Sequence, residues 1–118
     1  MAPHTAEHRS QAMSDCIDDC MHCHAICLET INYCLGMGGQ HAAPEHMSLL
    51  ATCAEICKTS ANTMLRGAIV TAPICSACAQ VCRQCGKSCE RMGEDAAMMR
   101  CAAACRRCSE SCAAVANH

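Results

Sequence analysis

Cysteine recurs along this chain at intervals of four and three. Cys16, Cys20, Cys23, Cys27 and Cys34 open the series, and Cys53 and Cys57 form a shorter group. Cys75, Cys78, Cys82, Cys85 and Cys89 make a second run, and Cys101, Cys105, Cys108 and Cys112 a third. The unit is CxxxC, seven times over: 16 and 20, 23 and 27, 53 and 57, 78 and 82, 85 and 89, 101 and 105, 108 and 112. Thiolates are soft ligands that select Cu(I), Zn(II) or iron–sulfur clusters. Structural zinc and ferredoxin-type clusters take CxxC pairs from loops and knuckles. A CxxxC pair on a helix instead sets two sulfurs one turn apart, which suits an ion of low coordination number such as Cu(I).

Charge points the same way. Sixteen buried thiolates cannot coexist without cations, because a buried charge must be paired. One Cu(I) per thiolate leaves the core neutral, whereas zinc at that ratio leaves a large positive excess. The expected load is therefore about 16 Cu(I) ions per chain, each bridged by thiolates. Without metal the thiols are protonated and behave as small buried hydrophobes.

The elements that must carry these ligands are helices. A 4-3-4-3 rhythm is the inward seam of a helix in a bundle, and strand signals are weak. Gly36, Gly38, Gly39 and Pro44 punctuate the chain once, Gly67 and Pro73 a second time, and Gly93 with Glu94 and Asp95 a third. Helices are predicted at 10 to 36, 44 to 66, 73 to 92 and 95 to 116. Short connections make neighbours antiparallel. The fold class is all-α: an up-down-up-down four-helix bundle with a cysteine-lined core. It forms one domain over 1–118, with 1–9 a flexible tail. A lone seam cysteine is ordinarily packing; every cysteine falling on a seam is not.

Continuing each rhythm adds Met13, Thr30 and Met37 to the first helix, His46, Leu50, Ser60 and Met64 to the second, Met92 to the third, and Met98 and Val115 to the fourth. In the antiparallel arrangement Met37, His46, Met92 and Met98 gather at one end, with His41 nearby in the first loop. Met13, Met64 and Val115 gather at the other, where Ile69, Val70 and Ile74 are expected to complete an apolar plug. His41 and His46 read as solvated loop residues as readily as ligands. His22 and His24 lie off the seam and are expected to be exposed; His4, His8 and His118 have no assigned role. Asp18, Asp19, Glu29, Glu90 and Glu94 read as a solvated outer face.

Composition closes off other functions. With 9 basic and 11 acidic residues the net charge is −2, which argues against nucleic acid and anionic membranes as partners. No stretch approaches the ~20 apolar residues of a membrane span. The N-terminal MAPHTAEHRSQAMSDC has no apolar run or twin arginine, so the expected location is cytoplasmic, where cysteines stay thiols or metal ligands. Within CxxxC the Cβ atoms lie roughly 5–6 Å apart, beyond the ~3.8 Å of a disulfide. There is no nucleophile–base arrangement, phosphate loop or glycine-rich cofactor fingerprint, so no enzyme is expected. Tyr33 is the only aromatic residue, which leaves the core to Cys, Ala and Met. Ile17, Ile26, Leu28, Ile31, Tyr33, Leu49, Ile56 and Leu65 exceed what that core needs and are expected to form a subunit interface on the first two helices.

The CxxxC pairs on all four helices, spanning residues 16 to 112, resemble the bacterial copper storage proteins, a family of cysteine-rich four-helix bundles. The resemblance implies a homotetramer, each bundle filled with Cu(I) along its axis and loaded at the end bearing Met and His donors. It also implies the cytosolic branch of that family. By position it assigns the sixteen cysteines as core ligands, with Met37, His41, His46, Met92 and Met98 as candidates at the mouth. The implied function is copper storage or sequestration, served by a copper donor or acceptor. Two other readings remain: a zinc or general soft-metal buffer, and a thiol redox buffer or oxidant sensor.

Overall fold

A computed structural model describes residues 9–117 of the chain. Four helices follow one another: α1 (Gln11–Met37), α2 (Pro44–Arg66), α3 (Thr71–Glu90) and α4 (Ala96–Ala116), with a short 3-10 helix (Gly39–Ala42) between the first two. No strand occurs among the described residues. The expected boundaries hold to within two residues. The tail assigned to 1–9 lies outside the described residues except for Arg9, and so do His4, His8 and His118.

Local chemistry sets each boundary. The Ser10 hydroxyl accepts the Met13 N–H at 3.1 Å and starts α1. Pro44 occupies the first turn of α2, where its missing N–H costs nothing. Gly67 ends α2 with φ at 63°, a left-handed conformation that a side chain would strain. The Asp95 carboxylate accepts from the N–H groups of Ala97 and Met98 at 2.9 and 3.2 Å and starts α4.

The helices pack in a ring, α1 on α2, α2 on α3, α3 on α4 and α4 on α1, to give a body of 53 × 19 × 18 Å. Opposite helices meet across the axis through their seams. Every cysteine has 0 % of its surface exposed, so the sulfurs occupy the place leucine takes in most bundles. Small residues let the helices close around such small seam side chains: Ala54, Ala61, Ala79, Gly86, Ala102 and Ala104 are buried beside them.

Several expectations are corrected. Ile69 is 99 % exposed and Val70 is 47 % exposed, so they do not plug the far end; the turn after Gly67 carries them away from the axis. That end is closed by Met64 and Val115, both buried, with Met13 packed against them. Ile17 and Ile26 are buried in the core rather than offered to a partner. Ile31, Tyr33 and Ile56 are partly buried against the core, while Leu28 and Leu65 stay exposed. His24 is half-buried, and its Nδ1–H donates to the Ala54 carbonyl at 2.7 Å, fastening α1 to α2.

Candidate metal centre

The sulfurs stack in layers along the axis. Nearest the Met64 end, Cys16 lies 3.5 Å from Cys112, with Cys75 and Ser60 beside them. Next come Cys20, Cys57, Cys78 and Cys108: Cys108 is 3.6 Å from Cys20 and 3.7 Å from Cys57, and Cys78 is 3.8 Å from Cys57. The third layer holds Cys23, Cys53, Cys82 and Cys105, joined by contacts of 3.6 to 3.9 Å. Cys27, Cys85 and Cys101 form the fourth, with Cys89 reaching Cys101. Contacts between layers make the ladder continuous: Cys20 is 3.4 Å from Cys112, and Cys57 is 3.6 Å from Cys82.

Four groups of four sulfurs lie within 4.8 Å of one another: Cys20, Cys78, Cys108 and Cys112; Cys57, Cys78, Cys82 and Cys108; Cys23, Cys53, Cys57 and Cys82; and Cys23, Cys27, Cys53 and Cys105. The groups share members. Cys78 and Cys108 belong to the first two, Cys57 and Cys82 to the middle two, and Cys23 and Cys53 to the last two. Discrete tetrahedral zinc sites would not share ligands this way, whereas thiolates bridging neighbouring ions would.

All sixteen cysteines are free thiols. Burial pushes the Cys34 thiol up to about 11. Cys27, Cys89 and Cys105 are pushed up first by Cys101 and Cys108 first by Cys112, with burial adding to each. An anion at Cys101 is favoured first by Cys105, whose thiol hydrogen it accepts. Sulfurs this close cannot all ionise together, so full ionisation of the ladder requires cations.

At the end opposite Met64 the donor set changes. Thr30 and Leu50 interrupt the seams of α1 and α2, both buried. Beyond them Cys34 meets His46 Nε2 at 3.6 Å and Met98 Sδ at 3.9 Å. His46 is 3 % exposed in the first turn of α2, which corrects its reading as a solvated loop residue. Burial pushes its imidazole below the usual range and so keeps it neutral. A cleft of about 290 Å³ reaches His46 from the surface and is lined by Gln40, Glu45, Ser88, Arg91 and Met92 among others.

The remaining mouth candidates lie farther out. Met37 is 54 % exposed at the end of α1. His41 sits in the 3-10 helix, where its Nε2 donates to Asp95 Oδ2 at 2.9 Å and its ring meets Tyr33 edge-on. Reading the seams did not single out Ser88, whose hydroxyl lies 2.7 Å from His46 Nδ1. Its only signal was a small polar residue directly before Cys89. Nor did it find the Tyr33–Asp95 contact, since neither residue lies on a seam.

Comparison with known proteins places these features in context. The family model for copper storage protein matches residues 9–117. The chain is 42 % identical to the Nmul_A1745 protein from Nitrosospira multiformis, with a TM-score of 0.85 over 91 % of this chain and 96 % of that one. It is 30 % identical to the Cu(I)-bound copper storage protein BsCsp3 of Bacillus, with a TM-score of 0.83 over 90 % and 99 %. It is 29 % identical to the copper storage protein Ccsp from Streptomyces lividans, solved with 10 copper equivalents, with a TM-score of 0.79 over 91 % and 85 %. No curated protein matches the chain.

Proposed function

The chain belongs to the copper storage protein family, and from that membership we propose a store that holds about one Cu(I) ion per core thiolate, about 16 in a full chain. The observation that carries this reading is the continuous ladder of buried thiols with shared four-sulfur groups. A ladder of shared sulfurs suits two-coordinate ions bridged by two-coordinate thiolates. Each ion replaces one thiol proton, so the core stays neutral as it fills. The related BsCsp3 is a Cu(I)-bound protein, which supports the choice of metal. The role is storage rather than catalysis.

Loading is assigned to the end where Cys34, His46 and Met98 converge. Thioether and neutral imidazole bind Cu(I) without charge and release it more readily than thiolate, which suits transfer. Met92 lines the cleft to that site, and Met37 and His41 are outer donors. Among the described residues the opposite end adds the thioethers of Met13 and Met64 and no imidazole. A cytoplasmic location and a homotetramer complete the proposal. The location accords with a relative: the Streptomyces lividans protein is described as cytosolic. Exposed apolar residues on the first two helices supply a surface for subunit contact.

Anaerobic titration tests the store. Thiolate-to-copper absorption should rise until about 16 Cu(I) per chain. Saturation near four or five ions would instead indicate discrete tetrahedral sites. Protein purified from cells supplied with copper and zinc together should carry copper. Zinc in its place supports a soft-metal buffer, and metal-free protein with interhelical disulfides supports a redox buffer.

A further inference from the structure

His46 is held at both ring nitrogens. Its Nε2 faces the Cys34 sulfur at 3.6 Å, and its Nδ1 lies 2.7 Å from Ser88 Oγ. Ser88 comes from α3 and is 4 % exposed. Both residues border the cleft that opens to solvent. Among the described residues the imidazole has no other hydrogen-bond partner.

We propose that Ser88 is the positioning residue of the loading site, holding His46 with its proton on Nδ1 so that the Nε2 lone pair faces the ion shared with Cys34. The inference rests on the reading of this end as the loading end. A neutral imidazole has one N–H and one lone pair. With the proton on Nε2, the ring points a hydrogen at Cys34 and offers the ion nothing. With the proton on Nδ1, that N–H donates to Ser88 Oγ and Nε2 is bare.

A hydroxyl is donor and acceptor at once, so Ser88 serves both tautomers by rotating its O–H. In the empty site it donates to Nδ1 while Nε2–H points at the Cys34 sulfur. In the filled site it accepts from Nδ1. Capture then balances simply. The Cys34 thiol and Cu(I) give a sulfur–copper bond and one released proton. The ring keeps its single proton, which moves from Nε2 to Nδ1 by exchange with solvent in the cleft. Partners behind a metal-bound histidine are worth about 10–100-fold in metal affinity or activity. Among the described residues Ser88 is the only group in place to act as one here.

Imidazole nitrogen NMR of ¹⁵N-labelled protein, empty and fully loaded, tests this directly, since Cu(I) is diamagnetic. Signals are assigned with His46→Leu. The loaded parent should show His46 protonated at Nδ1 and metal-shifted at Nε2. Ser88→Ala should lose that pattern and take Cu(I) from a chelate donor roughly 10–100-fold more slowly. Its helicity and total capacity should be unchanged. Ser88→Thr should restore both the tautomer and the rate. A Ser88→Ala protein that keeps the pattern and the rate overturns the proposal, as does a failure of threonine to restore them. A parent that fills completely without any His46 shift removes the Ser88 role and leaves storage standing. A parent that takes up no copper removes the storage reading itself.

Discussion

Tyr33 donates its hydroxyl hydrogen to Asp95 across 2.7 Å, and this contact ties the end of α1 to the start of α4. The same carboxylate accepts from His41 and from the N–H groups of Ala97 and Met98. One side chain thus anchors the 3-10 helix, caps α4 and sets the backbone from which Met98 reaches Cys34.

The clasp should be readable by titration. The Asp95 hydrogen bond, then burial, pushes the Tyr33 phenol above its ordinary range. As the sole aromatic residue, Tyr33 gives an unambiguous tyrosinate absorbance. Its alkaline midpoint should fall in Asp95→Asn, because the neighbouring negative charge is gone. An unchanged midpoint would show that the two groups do not interact in solution.

Acid should release the same clasp. The Tyr33 hydrogen bond, followed by those of His41, Met98 and Ala97, outweighs burial and holds Asp95 at about 2, below its model-compound value of 3.8. A depressed carboxylate contributes stability that is present above the unfolded value and lost as pH falls through the folded one. Thermal melts of the metal-free protein should therefore lose stability between about pH 4 and pH 2. Asp95→Asn should flatten that part of the profile, and parallel profiles for the two proteins would contradict it.

Gly86 marks the tight approach of α3 to α4. A Cβ there would stand 3.4 Å from Cys105 Cβ and 3.7 Å from the Ala102 carbonyl oxygen. Alanine fits at ordinary contact and removes a mid-helix glycine, so Gly86→Ala should leave stability unchanged or raise it by up to about 1 kcal/mol. Gly86→Leu should cost about 1–3 kcal/mol through overpacking. Urea unfolding of the metal-free protein measures both, and equal stabilities would mean the helices separate freely.

Ser60 stands where α2 would otherwise supply a fourth sulfur to the layer of Cys16, Cys75 and Cys112. Its hydroxyl is buried and has no hydrogen-bond partner among the described residues. Ser60→Ala should raise metal-free stability by about 1 kcal/mol, because an orphaned polar group is removed. Ser60→Cys should raise copper capacity by about one ion per chain. Unaltered capacity would break the rule of one ion per thiolate.

Met21, Leu28 and Leu35 repeat every seven residues along α1 and are 36 %, 49 % and 61 % exposed. Such a stripe is the natural seam for contact between subunits. Leu28→Glu with Leu35→Glu should turn the proposed tetramer into smaller species by sedimentation, with copper per chain unchanged. A parent that already sediments as a monomer would show that the stripe has another use.

The metal-free protein should already give a strongly helical circular dichroism spectrum, since protonated Cys, Ala and Met fill the core. A coil spectrum that becomes helical only with copper would mean that metal drives folding.

The sequence by itself determined the four helices, their seams and the sulfur core. Helical periodicity is a local property, so a 4-3-4-3 run of cysteines can face only one way once the helix forms, and glycine, proline and Asp95 mark where helices end and begin. The gathering of His46 and Met98 at one end followed in outline, because antiparallel packing brings their helix ends together; that Cys34 joins them did not. The contacts between helices were a different matter. Whether His46 turns inward to Ser88, whether Tyr33 reaches Asp95, and whether His24 finds the Ala54 carbonyl all depend on the stagger and rotation of one helix against another. A difference of about 1.5 Å, one residue's rise, decides whether a hydrogen bond exists, and the spacing of apolar residues does not record it. The far end shows the same limit: Ile69 and Val70 are apolar enough to seal the bundle, yet the left-handed turn at Gly67 carries them into solvent. Backbone direction after a helix is set by the tertiary path to the next one, and there it outweighed hydrophobicity.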